Sequence, residues 1–349
     1  MTLMTWEEQQ IQTAIAALRR GQRGLSRKLL EGILRVSPNS EQAWFWLSQV
    51  VEKAEEKRFC LEQVLSLNRR NALARRELAV LGPGPSRSPL KEEAYLQRGD
   101  KFFLSLTAGY VVLLAAAEIL VAQMQPYVGL ILHSLLLIGV MAYGARCWSG
   151  PAYRFWVGMS LPPLIRLVSF SLPLSLVPLM YWYLLVSVPL FGAVFVTQRF
   201  LLRVSWDRVG LHSKGLLPQI GVSLLGVPLG MLEYWILRPA PLVSGQREEE
   251  FLIAALILLV STGFLEELIF RGILQHVATE MMGRWGIVYI SLVFAVLHIG
   301  YRSVGDFFFV LGVALVFGWY VHRTRSIVGV SLAHGLINIW LFLIAPFLI

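Results

Sequence analysis

In FLEELIFRG, residues 264–272, two adjacent glutamates and an arginine lie inside an otherwise apolar run. An ionised side chain at the centre of a membrane-spanning helix costs roughly 2.5–3.5 kcal/mol on insertion scales. Glu267 and Arg271 are four residues apart, so they share a helix face and are expected to pair. Glu266 points about 100° away around the helix and needs a partner from another helix or from water. The stretch therefore predicts a helix that turns polar groups toward the interior of a membrane bundle.

The composition of the chain also indicates a membrane protein. Of its 349 residues, 56% are hydrophobic and 15% are charged, against about 45–50% and about 25% in soluble domains. A span needs about 20 apolar residues, and Pro162, Pro163 and Arg166 interrupt the third of the runs. We expect an all-α, polytopic membrane helix bundle of eight or nine spans, near residues 102–122, 127–145, 155–173, 176–198, 216–237, 251–275, 285–299, 307–322 and 327–348.

Charge is concentrated at the N-terminus, where residues 1–101 hold 29 of the 53 charged side chains. A segment rich in Pro, Gly and Ser, Leu81–Pro89, is typical of a linker. We therefore expect a small cytosolic helical module at 1–80, a linker at 81–100 and a membrane domain at 101–349. Neither part has a basic block dense enough to predict nucleic-acid binding. The two cysteines, Cys60 and Cys147, predict neither a disulfide framework nor a thiolate metal site.

The module contains a weak internal repeat. LRVSPNSEQA at 34–43 aligns with LSLNRRNALA at 65–74, at a spacing of 31. SPNSEQAW supplies a turn and a cap before the next helix. The pattern resembles tetratricopeptide-type helical hairpins, although the period is shorter than their usual 34. Two interpretations stay open: an adaptor that recruits a cytosolic protein partner, or a helical cap that only folds.

The loops between the predicted spans carry an asymmetric charge. With the N-terminus inside, nine basic residues lie in inward loops and three in outward loops, which satisfies the positive-inside bias. We expect a multi-pass protein of a bacterial plasma membrane with a cytosolic N-terminus. The inward residues are Arg146, Arg154, Arg199, Arg203, Arg208, Lys214, Arg284, Arg323 and Arg325.

Two later apolar runs also carry polar groups at helical spacing. FAVLH places Phe294 and His298 one turn apart, and AHGLIN places His334 and Asn338 on one face. Each feature alone has a structural explanation, as an ion-pair clamp, an interfacial histidine or an interhelical hydrogen bond. Because intramembrane ionisable residues normally face the bundle interior or a water-filled cavity, we expect the three segments to share one wet cavity.

The combination of EExxxR, FxxxH and HxxxN in apolar segments resembles the signature of the CPBP family. This family contains the CAAX prenyl endopeptidases and bacteriocin-processing or immunity proteins, also called the ABI family of intramembrane proteases. The resemblance is strong over 251–349 and does not include the N-terminal module. The matching residues are Glu266, Glu267, Arg271, Phe294, His298, His334 and Asn338. The resemblance implies an intramembrane endopeptidase acting on a membrane-associated or lipid-modified peptide or protein.

Peptide hydrolysis needs an activated water and donors for the developing oxyanion. The resemblance supports a scheme in which Glu266 and His298 deprotonate the water while His334 and Asn338 donate to the oxyanion. Supporting positions are then Glu267, Arg271 and Phe294. This scheme requires no cofactor. A zinc alternative uses Glu266, His298 and His334 as three ligands with an open fourth position.

Two other classes of function remain open. One is a non-catalytic membrane scaffold or bacteriocin-immunity-type protein whose polar core binds a peptide partner. The other is a small transporter with a proton relay, which would favour repeated halves, and the sequence has no second EExxxR copy. Intramembrane carboxylates without a motif occur at Glu118 and Glu233. Ordinary interfacial or loop histidines are expected at His133, His212, His276 and His322.

Overall fold

The computed structural model describes residues 6–37, 40–68, 70–81, 101–123, 125–147, 150–212, 215–244 and 247–348. These residues form helices and no strand. The chain divides into two compact units, Met1–Lys91 and Glu92–Ile349. Beyond Leu81, the predicted linker at 81–100 lies outside the described residues.

The N-terminal unit is built from short amphipathic helices. Consecutive helices pack against each other, and their apolar faces bury a core that includes Ile11, Leu30, Ile33 and Leu47. The helices are α1 (Trp6–Arg19), α2 (Arg23–Val36), α3 (Glu41–Val50), α4 (Ala54–Leu67) and α5 (Ala72–Val80). The likeness to tetratricopeptide hairpins stays a prediction.

The internal repeat places equivalent caps at two helix starts. The Ser40 side chain accepts a hydrogen bond from the backbone N–H of Ala43 and caps α3, while Asn71 accepts from Ala74 and caps α5. Such caps satisfy backbone donors that the first turn leaves unpaired. Glu41 accepts from the amide groups of both asparagines that flank the second turn, at 3.1 Å from Asn68 and 2.6 Å from Asn71. The sequence echo therefore corresponds to a repeated turn-and-cap structure.

The membrane unit is a bundle of long apolar helices. In chain order its helices are α6 (Phe102–Ala122), α7 (Pro126–Cys147), α8 (Gly150–Gly158), α9 (Leu161–Ser171), α10 (Leu179–Leu202), α11 (Trp206–Val209), α12 (Leu217–Leu237), α13 (Glu248–Met282), α14 (Trp285–Tyr301), α15 (Val304–Thr324) and α16 (Val328–Leu348). Among the described residues, seven of these helices are long and apolar enough to cross a membrane: α6, α7, α10, α12, α13, α15 and α16. The polytopic all-α bundle predicted from the sequence is confirmed.

Seven long helices are fewer than the predicted eight or nine spans, and the two remaining predicted spans, 155–173 and 285–299, are built from shorter helices. The third predicted span, 155–173, is two short helices, α8 and α9, because Pro162 and Pro163 begin a new helix rather than continue the old one. Proline favours the first turn, where its missing N–H costs nothing. The seventh, 285–299, is the shorter apolar helix α14, which ends in a tight turn at Ile299–Tyr301.

The polar face of α13 is brought close to α16 by two glycines. A Cβ at Gly263 would lie 2.7 Å from the backbone N of Gly335 and 2.7 Å from the carbonyl O of Ser331. Small residues of this kind let helix backbones approach closely inside membranes. His334 is the neighbour of Gly335, so this contact sets its distance from the glutamates of α13.

Candidate active site

The two glutamates of FLEELIFRG lie between π-helical segments of α13. The segments are Leu259–Phe264 and Leu268–Leu274, with one short α-helical piece, Leu265–Glu267, between them. A π turn holds more residues than an α turn, and such turns are frequent at functional sites because they redirect side chains. Glu267 is fully buried, whereas 32% of the Glu266 side chain is exposed. The two carboxylates therefore have different surroundings.

Glu267 joins α13 to α16 through one oxygen. Its Oε1 lies 3.0 Å from Arg271 Nη1 and 2.9 Å from His334 Nδ1. The predicted pairing of Glu267 with Arg271 across one helical turn is confirmed. With Glu267 ionised, both nitrogens donate to it, and the bond to Nδ1 fixes the orientation of the His334 ring. Glu267 therefore lines the cavity together with the His334 ring that it holds.

Glu266 lies on the other side of the same imidazole. Its Oε2 is 3.9 Å from His334 Nε2, within ion-pair range but too long for a direct hydrogen bond. The His334 ring is thus held between two carboxylates, one bonded to Nδ1 and one beside Nε2. This arrangement supplies the partner from another helix that Glu266 was expected to need.

His298 is oriented by its own helix. Its Nδ1 lies 2.9 Å from the carbonyl O of Phe294, and since a carbonyl only accepts, Nδ1 carries the hydrogen. In the neutral ring the lone pair is then on Nε2. Phe294 fills the space between the polar groups: its ring centroid is 4.7 Å from that of His298 and 4.3 Å from the Arg271 guanidinium carbon.

The Asn338 amide is held by a residue that the sequence reasoning missed. Its Nδ2 donates to Thr262 Oγ1 at 2.8 Å. An amide nitrogen has two hydrogens, so one remains for another acceptor. Thr262 precedes Glu266 by four residues, so its position on the polar face of α13 was readable from helical spacing. Hydroxyl groups bond to backbone so often in helices that this signal alone did not single it out.

All seven predicted site residues line one cavity, whose space not filled by atoms is about 610 Å³ with its open mouth included. Glu233, from α12, lines it as well and is one of the two intramembrane carboxylates, with Glu118, that belong to no motif. The predicted meeting of three polar helix faces around one cavity is confirmed. The seven residues are Glu266, Glu267, Arg271, Phe294, His298, His334 and Asn338.

A second polar cluster lies behind His298 and was not predicted. Glu118 Oε1 lies 2.8 Å from Arg166 Nε and 3.3 Å from His133 Nε2, and both Glu118 and His133 are buried. Arg166 Nη2 also donates to the carbonyl O of Leu297 at 2.6 Å. His133 is therefore part of a buried cluster rather than an ordinary interfacial histidine. The signal in the sequence is Arg166, a charged residue inside the third apolar run.

The zinc alternative depends on which ring nitrogens remain for a metal. Among the described residues, no group of three or more His, Cys, Asp or Glu side chains is arranged to hold a metal ion. His334 Nδ1 is bonded to Glu267, and His298 Nδ1 faces a backbone carbonyl. Histidines that bind a metal commonly hold a carboxylate or a carbonyl with the other ring nitrogen, so Nε2 of both rings remains as a donor and zinc stays an alternative.

The fold and cavity define a polytopic membrane protein with a carboxylate–imidazole site inside the bundle. Residues 248–340 match the family model of the type II CAAX prenyl endopeptidase, Rce1-like. This Rce1-like stretch contains the seven site residues. No curated protein and no solved structure matches the chain. The match over 248–340 supports a membrane-embedded protease, a hydrolase acting on a membrane-associated peptide or protein.

Proposed function

We propose that the chain is an intramembrane endopeptidase in which Glu266 and His298 activate the attacking water. The carboxylate of Glu266 and the lone-pair nitrogen of His298 both line the cavity and both accept hydrogen bonds. A water between such acceptors is oriented for attack and loses its proton to one of them. The observation that carries the proposal is the His334 ring, held between Glu267 and Glu266 on the wall of the same cavity.

His334 and Asn338 then stabilise the oxyanion. The hydrogen of His334 Nδ1 is committed to Glu267, so donation from Nε2 requires the doubly protonated ring. Carboxylates on both sides of the ring favour that charged form, and Arg271 balances the second carboxylate. Asn338 donates with the amide hydrogen that Thr262 leaves unused. Donors fixed in this way need no reorganisation as negative charge develops on the carbonyl oxygen.

One base takes a proton from the water and later returns it, so the base is unchanged at the end of the reaction. Water adds to the carbonyl carbon, its proton passes to Glu266 or His298, and the oxyanion collapses as the C–N bond breaks. The same group returns the proton to the leaving amine. The products are a carboxylic acid and an amine, which become a carboxylate and an ammonium ion by exchange of one proton, and the site returns to its starting state.

The cavity walls favour a substrate with an apolar part. Beyond the polar residues, the lining side chains are mainly aromatic and branched aliphatic, namely Phe309, Val310, Val313, Phe317, Ile337 and Phe342. A wall of this kind binds a lipid chain or an apolar peptide segment. We propose a lipid-modified or membrane-inserted peptide as substrate, with a prenylated C-terminal peptide as the first candidate from the family.

The test compares Glu266→Gln with Glu249→Gln. Both changes remove one carboxylate charge from α13, but Glu249 is exposed at the start of that helix. The full-length variants would be reconstituted in liposomes and given a farnesylated peptide with a C-terminal fluorescent reporter. A parallel proteomic comparison of cells would search for C-terminal fragments that depend on Glu266. We expect Glu266→Gln and His298→Ala to abolish cleavage, and Glu249→Gln to retain it.

Binding without cleavage would favour the alternative. If the wild type binds a peptide without cleaving it, the chain is a scaffold or immunity-type protein. If processing survives both Glu266→Gln and His298→Ala, the proposed site is not catalytic. Circular dichroism and size-exclusion chromatography of each variant separate lost chemistry from lost folding. Recruitment of a cytosolic partner by residues 1–80 stays a separate prediction.

A further inference from the structure

A second cavity lies beside the helix ends of the membrane unit, with about 320 Å³ of space not filled by atoms when its open mouth is included. It is formed where the last turns of α13 and α15 meet the short helix α11. No acidic residue is among its lining residues, whereas three arginines and two histidines are: Arg208, Arg271, Arg325, His276 and His322. The cavity is therefore strongly basic.

The walls of this cavity are fixed by backbone contacts. The N–H of Ile327 donates to the carbonyl O of Gly210 at 3.1 Å, and Ser326 Oγ donates to that of His212 at 2.6 Å. These bonds tie the loop after α11 to the turn after α15. On the other wall a Cβ at Gly272 would lie 2.6 Å from Val209 Cγ1, so α11 sits directly against α13. Arg208 and Arg325 are carried by these fixed segments.

Arg271 joins the second cavity to the candidate active site. It lines both cavities and is 4% exposed. Its Nη1 donates to Glu267, but its Nη2 is buried and has no hydrogen-bond partner in the structure. An unpaired buried guanidinium nitrogen is costly, so an acceptor from outside the chain would stabilise it.

Nearby acidic groups do not neutralise the cavity. Glu280 is the acidic side chain next to His276, at 3.6 Å, but it is already paired with Arg154 at 2.9 Å. Glu267 occupies only one nitrogen of Arg271. Arg208 and Arg325 have exposed side chains that reach the opening.

We propose that this basic cavity binds a phosphate group. Arginine forks match the tetrahedral oxygens of phosphate with charge-assisted, often bidentate hydrogen bonds. The cavity opens where α15 ends, at Thr324, which is the level at which lipid headgroups meet a membrane protein. The phosphate therefore comes either from an anionic phospholipid headgroup or from a soluble anion, and one oxygen completes the hydrogen bonds of Arg271. This site does not depend on the proposed catalytic chemistry.

The test uses full-length protein purified in detergent and measures its thermal unfolding midpoint. Inorganic phosphate and short-chain dihexanoyl phosphatidylglycerol are the two probes, with dihexanoyl phosphatidylcholine as the zwitterionic control. A ligand that binds the folded state raises the midpoint with saturation. We expect the double variant Arg208→Gln, Arg325→Gln to weaken apparent binding by about tenfold or more.

Arg203→Gln is the matched control. Arg203 follows α10 with φ 54°, and Arg325 follows α15 with φ 61°. Both arginines therefore have a left-handed backbone conformation directly after a helix. Arg203 does not line the cavity, and its replacement should leave binding unchanged. A saturable effect of phosphatidylglycerol alone identifies the lipid headgroup, and an effect of inorganic phosphate identifies the soluble anion. No saturable effect of either probe, equal effects in the double variant, or an equal effect of phosphatidylcholine would overturn the proposal.

Discussion

The two histidines of the cavity, His298 and His334, differ in how their rings can donate or accept hydrogens, because their Nδ1 atoms have different partners. In His298 the partner is the carbonyl of Phe294, which fixes a hydrogen on Nδ1 and leaves Nε2 to accept. In His334 the partner is the carboxylate of Glu267, which stabilises a positive ring. The same side chain is thereby suited to accepting a proton in one place and to donating a hydrogen bond in the other. Opposite surroundings of two like groups are a common way to divide acid and base roles.

Arg166 is predicted to position His298 from behind. It binds the carbonyl of Leu297, the residue before His298, and pairs with the buried Glu118. Arg166→Leu leaves the Glu118 carboxylate without its cation, and breaking a buried ion pair in this way costs about 3–5 kcal/mol. We expect a lower unfolding free energy in a denaturant titration, and a lower kcat with little change in KM because the turn carrying His298 is released.

The double variant Glu118→Gln, Arg166→Leu separates the two effects. Removing the charge of Glu118 should recover much of the stability, since no ionised group is then left unpaired in the interior. Activity should stay low because the carbonyl of Leu297 still lacks its donor. Full recovery of kcat in the double variant would show that the contact with Leu297 has no positioning role.

At the scale of helices, the site depends on how closely α13 approaches α16. The π turns on either side of the glutamates redirect the polar face, and the contact of Gly263 with Gly335 brings that face against His334. Backbone rather than side-chain atoms meet at this contact. A substituent there cannot be accommodated by a rotamer change, so the helices themselves must separate.

Gly263→Ala is therefore expected to destabilise the bundle and reduce activity together. The added Cβ would meet backbone atoms of α16 at 2.7 Å, and overpacking of this kind typically costs about 1–3 kcal/mol. Gly109→Ala in α6 is the matched control, because a Cβ there meets nothing within 4 Å. Unfolding in detergent and peptide cleavage measure the two effects. Equal behaviour of the two variants would contradict the close-contact argument.

The sequence predicts what periodicity and motif spacing determine, and it misses what depends on packing between distant segments. Helical spacing was enough to predict that Glu267 pairs with Arg271. The cost of placing charge in lipid was enough to predict that the polar residues share a cavity. The π turns have no sequence signature and follow from packing against α16. The cluster around Glu118 joins side chains far apart in the chain, 48 residues to Arg166.

At the scale of the whole molecule, the reactivity of the Cys60 thiol measures whether the N-terminal unit is folded. Burial, followed by the charge of Glu56, raises the pKa of the Cys60 thiol to about 12. The thiolate is the reactive form, so at neutral pH the folded unit presents an inert thiol. In a Cys147→Ser background, we expect maleimide labelling to be negligible until urea unfolds the N-terminal unit. Rapid labelling of the folded protein would contradict the buried position of α4.

The orientation of the whole molecule in the membrane can be tested by labelling Cys147. The residue ends α7 and is half-buried, between Arg146 and Arg154, two basic residues that the positive-inside bias assigns to the cytosolic face. In a Cys60→Ala background, an impermeant maleimide should label Cys147 in inverted vesicles and not in intact cells. A Ser244→Cys, Cys60→Ala, Cys147→Ser variant should show the reverse, since the exposed Ser244 lies in a predicted outward loop. Labelling of Cys147 from outside would show that the orientation is the reverse of the predicted one. Arg208 and Arg325 belong to the same predicted set of inward loops as Arg146 and Arg154. The basic cavity would then lie on the outer face of the membrane.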